Sequence, residues 1–338
     1  MSKIKIPDNY QSVLDLIDTE VAIKMIKDTF ERRLAEQLRL TRVSAPLFLL
    51  KNTGLNDNLS GTERPVSFNS YELNENDDIE IIHSLAKWKR DALYRYNFAT
   101  KTGLYTDMNA IRRDEELDNI HSMYVDQWDW ELAISEEDRT MEFFQQTVKK
   151  IYQVLLDIEF TMIRNYPQLG ESILPEKITF IDSQDLENLY PDLTDKERER
   201  NIVKTYGAVC LTRIGDALAS GKPHDNRAPD YDDWSMNGDI LVYNRVLDDV
   251  LEISSMGIRV DAKALQEQLE KANATDRLEL PYHQAVLHNT LPYSIGGGIG
   301  QSRICLLFLR KCHIGEVQAS LWDNNTLTKC QEKGIKIL

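Results

Sequence analysis

Two long segments of the chain place apolar residues at every third or fourth position. They are Leu14–Leu38 and Met141–Met162, and the second stops shortly before Pro167 and Gly170. This spacing puts the apolar side chains on one face of a helix, and Pro and Gly commonly follow a helix end. The sequence therefore predicts two long amphipathic helices that turn their apolar faces toward the core.

Shorter segments alternate between apolar and polar residues, as half-buried strands do. They cover residues 78–84, 122–131, 239–244 and 250–255, and a β-rich stretch at 43–50 contains Pro46. The link around 245–249 is so short that its two strands must be antiparallel, and Pro46 indicates an edge or a bulge. Because helices come in blocks and do not alternate with strands, we expect an α+β fold, a mainly antiparallel sheet flanked by helices.

Length and composition are those of an ordinary globular chain. Of the 338 residues, 42% are apolar and 28% charged, and neither a repeat nor a Pro/Ser-rich linker divides them, so we expect a single domain over residues 1–338. The net charge of −15 argues against nucleic acid as a partner and favours a small molecule. No segment is apolar for long enough to cross a membrane, and the N-terminus lacks the composition of a signal or transit peptide. We therefore expect a cytoplasmic protein.

The cysteines and histidines do not indicate a zinc site. The four cysteines, Cys210, Cys305, Cys312 and Cys330, form no C-x-x-C pair, and the six histidines are scattered without an H-E-x-x-H pattern. Four structural thiols in a reducing compartment are the simpler interpretation.

A glycine-rich segment is the most specific local signal. It reads G-G-G-I-G-Q-S-R over residues 296–303 and is followed by an apolar run. Glycines allow a ligand to approach the backbone closely, and a helix start with an arginine attracts an anion, which suits a nucleotide. The simpler alternative is a strand-to-helix turn. The segment is neither a Walker A motif nor a G-x-G-x-x-G motif.

Two further segments combine polar and aromatic residues. One surrounds Arg112, and the other, Y-V-D-Q-W-D-W, holds Gln127 and Asp129 between tryptophans. In a strand Gln127 and Asp129 share one face, whereas Trp128 and Trp130 point to the other. We expect a polar binding floor on a buried strand; a surface strand is the alternative.

A basic segment and an acidic segment complete the candidate chemistry. The basic one, H-S-L-A-K-W-K-R, contains Ser84 and three cations, which either meet an anion or form a solvated patch. The acidic one, A-P-D-Y-D-D-W-S, lies at 228–235, and its density implies a ligand cation unless it forms a solvent-facing rim. If the following hairpin pairs about its midpoint, Asp239 and Glu252 lie opposite each other and could hold Mg²⁺ beside phosphates.

Together these segments resemble the three signature motifs of the class II aminoacyl-tRNA synthetase catalytic core. Pro46 resembles the proline of the first motif and Arg112 the arginine of the second, while Gly298, Gly300 and Arg303 resemble the third. Two features depart from the pattern. Asp114 replaces the usual glutamate two places after Arg112, and the chain has no room for an anticodon-binding domain.

Within that superfamily, six segments resemble the aspartate–ammonia ligase family, the ammonia-dependent (type A) asparagine synthetases. They are D-N-L-S-G (57–61), H-S-L-A-K-W-K-R (83–90), Y-V-D-Q-W-D-W-E (124–131), A-P-D-Y-D-D-W (228–234), S-S-M-G-I-R-V-D (254–261) and the glycine-rich segment. The resemblance implies a cytoplasmic homodimer that uses ATP and Mg²⁺. It also implies ATP-dependent amidation of L-aspartate by ammonia through a β-aspartyl adenylate, which gives L-asparagine, AMP and pyrophosphate.

The resemblance implies roles for individual residues on the nucleotide side. Arg112 would hold the α-phosphate and the reacting carboxyl, Arg303 would lie against ATP, and Arg259 would lie near the pyrophosphate. Gly298 and Gly300 would border the nucleotide. Mg²⁺ would lie between Asp239 and Glu252.

It implies a second set of roles on the amino-acid side. Ser84 and Lys89 would bind the α-carboxylate, Asp129 the α-ammonium together with Asp232, and Gln127 the reacting carbonyl. Ser255 would also contact the substrate. Ammonia would bind at Asp57, which would accept its proton, and Asp232 is the alternative base.

Two alternatives differ in their predictions. A free-standing aspartyl- or asparaginyl-tRNA synthetase would need tRNA recognition, which the missing anticodon domain argues against. A catalytically inactive sensor of aspartate or AMP would have lost charged site residues, yet Lys89, Arg112, Asp239, Glu252 and Arg303 are all present. An active enzyme is therefore the favoured interpretation.

Overall fold

The structure is a computed structural model that describes residues 4–57, 59, 63–73 and 78–338. Its α-helices are α1 (Leu16–Leu38), α2 (Ala86–Arg95), α3 (Met141–Asn165), α4 (Ser183–Leu189), α5 (Asp195–Tyr206), α6 (Ala262–Lys271), α7 (Pro281–Leu287), α8 (Gln301–Phe308) and α9 (Asn324–Glu332). Its strands are β1 (Leu40–Arg42), β2 (Phe48–Leu50), β3 (Ser67–Phe68), β4 (Ile79–Ile81), β5 (Gly103–Ile111), β6 (Tyr124–Ala133), β7 (Thr179–Asp182), β8 (Ala208–Thr212), β9 (Asp232–Asn244), β10 (Asp249–Arg259) and β11 (Ser294–Gly300).

Eight of these strands form one large sheet in the order β1-β5-β6-β11-β10-β9-β8-β7. All pairs from β5 to β8 are antiparallel, and only the two edge pairs, β1 with β5 and β7 with β8, are parallel. Helices α4 and α5 provide the crossover that a parallel β7–β8 pair requires. The predicted α+β fold with a mainly antiparallel sheet is confirmed.

The two long predicted helices, α1 and α3, pack against each other and into the main hydrophobic core. Asp15 caps the start of α1 and Thr140 that of α3, each by accepting a backbone N–H three residues later. Phe30 of α1 stacks on Trp128 of the sheet with ring centroids 4.4 Å apart. Two apolar residues of the α1 pattern lie outside the core: Ile17 is 70% exposed and Val21 is 52% exposed.

The stretch at 43–50 is not the single strand that its composition predicts. Strand β1 ends at Arg42, and β2 begins only at Phe48, in a separate small sheet of order β2-β4-β3. Pro46 lies between them, and a proline has no N–H with which to continue a strand ladder. The predicted strand at 78–84 is likewise short and belongs to this small sheet as β4.

The hairpin of β9 and β10 is antiparallel as predicted, but its register differs from the expectation. Asp239 lies opposite Ser255 and not opposite Glu252, which faces Leu241. The turn pairs Asn244 with Asp249, which already places the partner of Asp239 two residues beyond Glu252, and a β-bulge at Ile253 adds one more residue to β10. The bulge also leaves Glu252 and Ser255 on the same face as Asp239.

All four cysteines are buried free thiols, which agrees with a structural role. Among the described residues, no helix combines the length and apolar character needed to cross a membrane.

Candidate active site

A cleft of about 550 Å³ opens over the centre of the large sheet. Its floor comes from β6, β10 and β11, and its walls come from the start of α2, the segment at 112–116 and the segment at 226–231. It brings together most of the residues singled out from the sequence: Asp57, Ser84, Lys89, Arg112, Gln127, Asp129, Asp232, Glu252, Ser255, Arg259, Gly298, Gly300 and Arg303. Asp239 lies behind this surface, where it binds the cleft residue Arg227.

The floor has the two-faced strand that the sequence predicts. Gln127 and Asp129 of β6 face the cleft, while Trp128 and Trp130 are fully buried in the core on the other side. The alternative of a surface strand is wrong.

The glycine-rich segment forms strand β11 beside β6, and α8 begins directly after it at Gln301. Gly298 pairs with Asp129, and a Cβ atom added to it would collide with the side chain of Gln127. The glycines therefore keep the floor open in the middle of the sheet, which leaves room for a ligand.

A buried ion pair lies on this floor. Lys89 of α2 binds Asp129, and its ammonium also donates to the carbonyl of Gly297 at 2.8 Å. Burial lowers the pKa of Lys89, although Asp129 opposes the shift. The second carboxylate oxygen of Asp129 has no hydrogen-bond partner among the described residues. Nearby, Ser84 accepts the N–H of Ala86 at 3.1 Å.

The basic segment is not a solvated patch, because its three cations are buried. Lys87 is 4%, Lys89 1% and Arg90 2% exposed. Arg90 donates to the carbonyls of Val260 and Pro292, which ties α2 to the elements around the cleft.

The acidic segment is neutralised by cations of the protein itself. Asp230 is fully buried and accepts bonds from Lys87 at 3.1 Å, Arg277 at 3.1 Å and His283 at 3.0 Å. Burial would raise the pKa of Asp230, but these three partners outweigh it and hold the pKa well below its usual range. For Asp230 the solvent-facing rim is therefore wrong, and all three contacts involve Oδ2, whereas Oδ1 is buried without a partner among the described residues.

Asp232 and Arg259 belong to a second buried cluster. The guanidinium of Arg259 binds Asp232 on one side and Glu131 on the other, and Ser294 also donates to Glu131 at 2.7 Å. Burial raises the pKa of Asp232 despite this contact with Arg259. Arg259 reaches the cleft wall, but its hydrogen bonds are already committed to carboxylates.

Of the two predicted magnesium ligands, Glu252 lines the cleft, whereas Asp239 lies behind its surface. Arg227 binds Asp239 and also donates to the hydroxyl of Ser255 at 3.2 Å, while Arg303 donates to the carbonyl of Glu252 at 3.0 Å. Burial, with Glu252 nearby, raises the pKa of Asp239 to about 7 although Arg227 opposes the shift. The other oxygen of Asp239 is buried and has no partner in the described part of the chain. No cluster of three or more metal-ligating side chains occurs among the described residues.

Arg112 follows β5 directly and is held there by its backbone N–H, which donates to the carbonyl of Met123 at 2.8 Å. Its Nε atom is buried and lacks a hydrogen-bond partner in the described structure, and its nearest ion-pair partner, Glu115, is 3.9 Å away. Asp114, which departs from the motif, binds the exposed Arg64. The Arg112 guanidinium is thus available to a ligand in the cleft.

Asp57 also lines the cleft and is 2% exposed. One of its oxygens accepts the N–H of Leu59 at 3.0 Å, and the other is buried without a partner among the residues described. Burial raises the pKa of Asp57, Asp230 adds to the rise, and Lys87 opposes it. Asn58, Ser60 and Gly61 of the same motif lie outside the described residues.

Three residues of the cleft and its support were given no role from the sequence, although each lies within or next to a recognised motif. His83 directly precedes Ser84, Glu131 ends the motif of Gln127 and Asp129, and Arg227 directly precedes the acidic segment. Their position in or beside these motifs was the available signal.

Solved structures of similar shape are aminoacyl-tRNA synthetases. Asparaginyl-tRNA synthetase of Entamoeba histolytica, in complex with asparaginyl-adenylate, superposes with a TM-score of 0.61 at 11% identity, covering 90% of this chain and 66% of that chain. The Pyrococcus horikoshii asparaginyl-tRNA synthetase complexed with asparaginyl-adenylate gives 0.61 at 13% identity, covering 90% of this chain and 70% of that one. The chain thus spans about two thirds of the length of these synthetases, and its fold is that of a class II synthetase-like catalytic core.

Sequence relatives narrow this class to one family. The family described as aspartate–ammonia ligase matches residues 17–334. The aspartate–ammonia ligase of Clostridium perfringens is 58% identical over 338 residues, which is all of both chains, and that of Levilactobacillus brevis is 54% identical over 333 residues, 98% of this chain and 99% of the relative. The chain belongs to the aspartate–ammonia ligase family.

Proposed function

We propose that the protein is the ligase that makes L-asparagine from L-aspartate and ammonia with ATP, through a β-aspartyl adenylate. ATP and the side-chain carboxylate of aspartate would give the adenylate and pyrophosphate, and ammonia would then displace AMP. The observation that carries the proposal is the cleft, which combines Arg112, whose Nε atom has no hydrogen-bond partner among the described residues, with the Lys89–Asp129 pair on its floor. Membership of the ligase family supports the same reaction.

Activation by adenylation follows from the chemistry of the carboxylate. A carboxylate is a poor acyl donor because its leaving group would be oxide, whereas AMP leaves readily from a mixed anhydride. Charge builds on the α-phosphate oxygens when the carboxylate attacks phosphorus, and fixed guanidinium groups stabilise that charge. Arg112 would contact the α-phosphate, and Arg303, on the first turn of α8, would lie against the nucleotide at the far side of the cleft.

The Lys89–Asp129 pair suits the zwitterionic end of an amino acid. The free oxygen of Asp129 would accept the α-ammonium, while Lys89 and Ser84 would bind the α-carboxylate through charge-assisted bonds. Gln127 on the same floor would bond the reacting carbonyl, with Ser255 and Asp232 beside it. With its α-groups held there, aspartate presents its side-chain carboxyl to the nucleotide.

The residues around Asp239 fit a Mg²⁺ site beside the phosphates. Mg²⁺ commonly takes one or two carboxylates and completes its shell with water and substrate phosphates. The unpartnered oxygen of Asp239 would serve as such a ligand, with Glu252 on the same face. When bound there, the ion would neutralise phosphate charge. Arg259 would fix Asp232 and add positive potential near the pyrophosphate, since its own bonds go to carboxylates.

Asp57 is better placed than Asp232 to receive ammonia. One oxygen of Asp57 is free of hydrogen bonds in the described structure, whereas Asp232 is bound by Arg259. A buried carboxylate with a raised pKa attracts ammonium and is a stronger proton acceptor. We therefore assign the ammonia side of the cleft to Asp57.

We further propose a cytoplasmic homodimer that binds neither nucleic acid nor membrane. At the start of α1, four apolar side chains are exposed: Val13 at 42%, Leu16 at 38%, Ile17 at 70% and Val21 at 52%. An exposed apolar stripe of this kind favours contact with a second copy.

The four free thiols suit a reducing compartment, and the net charge of −15 disfavours nucleic acid.

The deciding experiment supplies purified protein with ATP, aspartate and ammonium and identifies every product. We expect asparagine, AMP and pyrophosphate in equal amounts, and aspartate-dependent exchange of pyrophosphate into ATP when ammonium is left out. Release of ADP and orthophosphate would overturn the adenylate, and formation of aspartyl-tRNA when tRNA is added would favour a tRNA synthetase instead.

A further inference from the structure

His83 lines the cleft beside Asp57 and is fully buried. Its Nδ1 atom lies 3.2 Å from the backbone carbonyl oxygen of Asp57. A carbonyl oxygen can only accept, so Nδ1 is the donor in this contact, and whenever the ring carries a single hydrogen its lone pair is on Nε2. The contact with Asp57 thus fixes which nitrogen is basic.

The basic nitrogen of His83 has nothing to bind in the described structure. Nε2 is buried and lacks a hydrogen-bond partner there, and the same holds for Oδ2 of Asp57. A buried acceptor without a donor is costly, and such atoms in a cleft indicate a ligand. His83 and Asp57 therefore each have one acceptor atom, Nε2 and Oδ2, without a hydrogen-bond donor in the described structure.

Asn56 holds both residues in place. Its side-chain oxygen accepts the backbone N–H of Asp57 at 2.9 Å and that of His83 at 3.0 Å, and its amide nitrogen donates to Glu80 at 3.0 Å. One buried amide thus holds the backbone of both residues in place, although Asp57 and His83 are 26 residues apart. This arrangement suits a small cation that carries only donors, and ammonium has four N–H donors and no acceptor.

We propose that Nε2 of His83 and Oδ2 of Asp57 bind ammonium, and that His83 is a catalytic residue that removes its proton. The inference rests on the proposed function and adds a second proton acceptor to it. Amination by ammonium releases two protons, one to form ammonia and one after ammonia has attacked, so two acceptors match the demand.

His83 and Asp57 each accept one of the two protons. Nε2 takes a proton from ammonium, and the nitrogen lone pair of ammonia then forms the C–N bond to the β-carbonyl carbon. The C–O bond to AMP breaks, AMP leaves with the electron pair, and the second proton passes from nitrogen to Asp57. The resulting imidazolium keeps its Nδ1 bond to the Asp57 carbonyl.

Two variants and two nucleophiles test the proposal. His83→Asn keeps a donor for the Asp57 carbonyl, and His83→Gln places an amide near Nε2, but neither supplies a base.

Hydroxylamine is largely unprotonated near neutral pH, so it attacks the adenylate without first losing a proton. The measurements are pyrophosphate exchange, asparagine formation from ammonium and aspartyl hydroxamate formation from hydroxylamine, with His288→Asn, an exposed histidine, as the matched control.

We expect both His83 variants to keep pyrophosphate exchange and hydroxamate formation while asparagine formation falls by about 10²-fold, the usual contribution of a general base. Wild-type asparagine formation in His83→Asn, or an equal loss with both nucleophiles, would overturn the proposal. If wild-type protein showed no exchange at all, the proposed function itself would fail instead.

A measurement on the unmodified protein keeps the proposal testable if the variants do not fold. The ¹⁵N shifts of labelled histidine distinguish the two tautomers, and the His83 signal can be assigned by replacing the other five histidines one at a time. Hydrogen on Nδ1 is required, and a ring with its hydrogen on Nε2 would refute the base assignment.

Discussion

Lys89 and Asp129 form a buried ion pair, with side chains 1% and 4% exposed, on the floor of the cleft. The pair joins α2 to β6, and the same ammonium reaches the carbonyl of Gly297 in β11. One side chain of the floor therefore links a helix and two strands of the large sheet.

Removal of Lys89 alone should destabilise the fold and abolish activity. Lys89→Met leaves Asp129 as a buried charge without compensation, which costs about 3–5 kcal/mol of unfolding free energy. Lys89→Met with Asp129→Asn removes the isolated charge, so we expect much of the stability to return while pyrophosphate exchange stays lost. Urea unfolding of the two variants measures the first effect. A double variant no more stable than Lys89→Met would contradict the analysis.

Loss of Arg112 should stop activation of aspartate without loss of stability. Arg112→Ala removes a charge-stabilising donor, for which we expect about 3–4 kcal/mol of transition-state stabilisation, or roughly 10²–10³ in rate. Aspartate-dependent pyrophosphate exchange measures this. Arg200→Ala is the control, because Arg200 is exposed and pairs with Asp249 away from the cleft. Near wild-type exchange in Arg112→Ala would mean that the residue is misassigned.

Asp57 should act after the adenylate has formed. Asp57→Asn keeps an oxygen for the N–H of Leu59 but removes the negative charge at the free oxygen. We expect exchange close to wild type and asparagine formation reduced by about 10²-fold, with a raised KM for ammonium. The partial reaction and the full reaction are measured on the same preparation. An equal loss in both would remove the proposed role in amination and favour Asp232 as the base.

The sequence predicted the two long helices and the orientation of β6, because these features depend on the spacing of neighbouring residues. The spacing of apolar residues gave α1 and α3, and the alternation around Trp128 and Trp130 gave the orientation of β6, because a helix face or a strand face is a property of neighbouring residues. Most of the residues to which the family resemblance gives roles line the same cleft.

What the sequence did not predict depends on distant contacts. The three partners of Asp230 lie 143, 47 and 53 residues away, so no local pattern shows that this carboxylate is neutralised. The bulge at Ile253 shifts the register by one residue without any local signal in the alternation. The free nitrogen of His83 becomes visible only when its tautomer is fixed by Asp57.

Neighbouring glycines of β11 should respond oppositely to alanine. Gly298→Ala meets only the end of the Gln127 side chain, which can move, so the protein should fold while Gln127 is displaced. A 1 Å displacement of such a group can cost on the order of 10² in rate. Gly297→Ala would bring its Cβ to 2.5 Å from Cβ of Met256 and 2.7 Å from the carbonyl of Ser255, which cannot easily yield.

We therefore expect Gly298→Ala to lose activity with a small change in stability, and Gly297→Ala to lose at least about 1–3 kcal/mol of unfolding free energy. Thermal unfolding and asparagine formation separate the two. If Gly298→Ala kept full activity, the amide of Gln127 would not be positioned for catalysis.

His313 should make the folded state sensitive to mild acid. Its ring is fully buried, and burial lowers its pKa from 6.5 to about 4. Between these two values the unfolded chain binds a proton that the folded chain does not, so stability rises with pH across this window and falls as the pH drops from 6.5 toward 4. The full difference corresponds to about 3 kcal/mol.

The variant His313→Asn isolates this contribution from the carboxylates that titrate in the same range. Nδ1 of His313 accepts the N–H of Gly315 at 3.0 Å, and an asparagine oxygen can take that place, whereas the lost ring contact with Trp322 lowers stability at every pH. We expect urea midpoints of the wild type to fall more steeply than those of the variant between pH 6.5 and 4, so that the two curves converge in acid. Parallel curves would show that the pKa of His313 is the same in the folded and the unfolded chain. The buried ring would then bind a proton while the 3₁₀ turn that it caps stays folded.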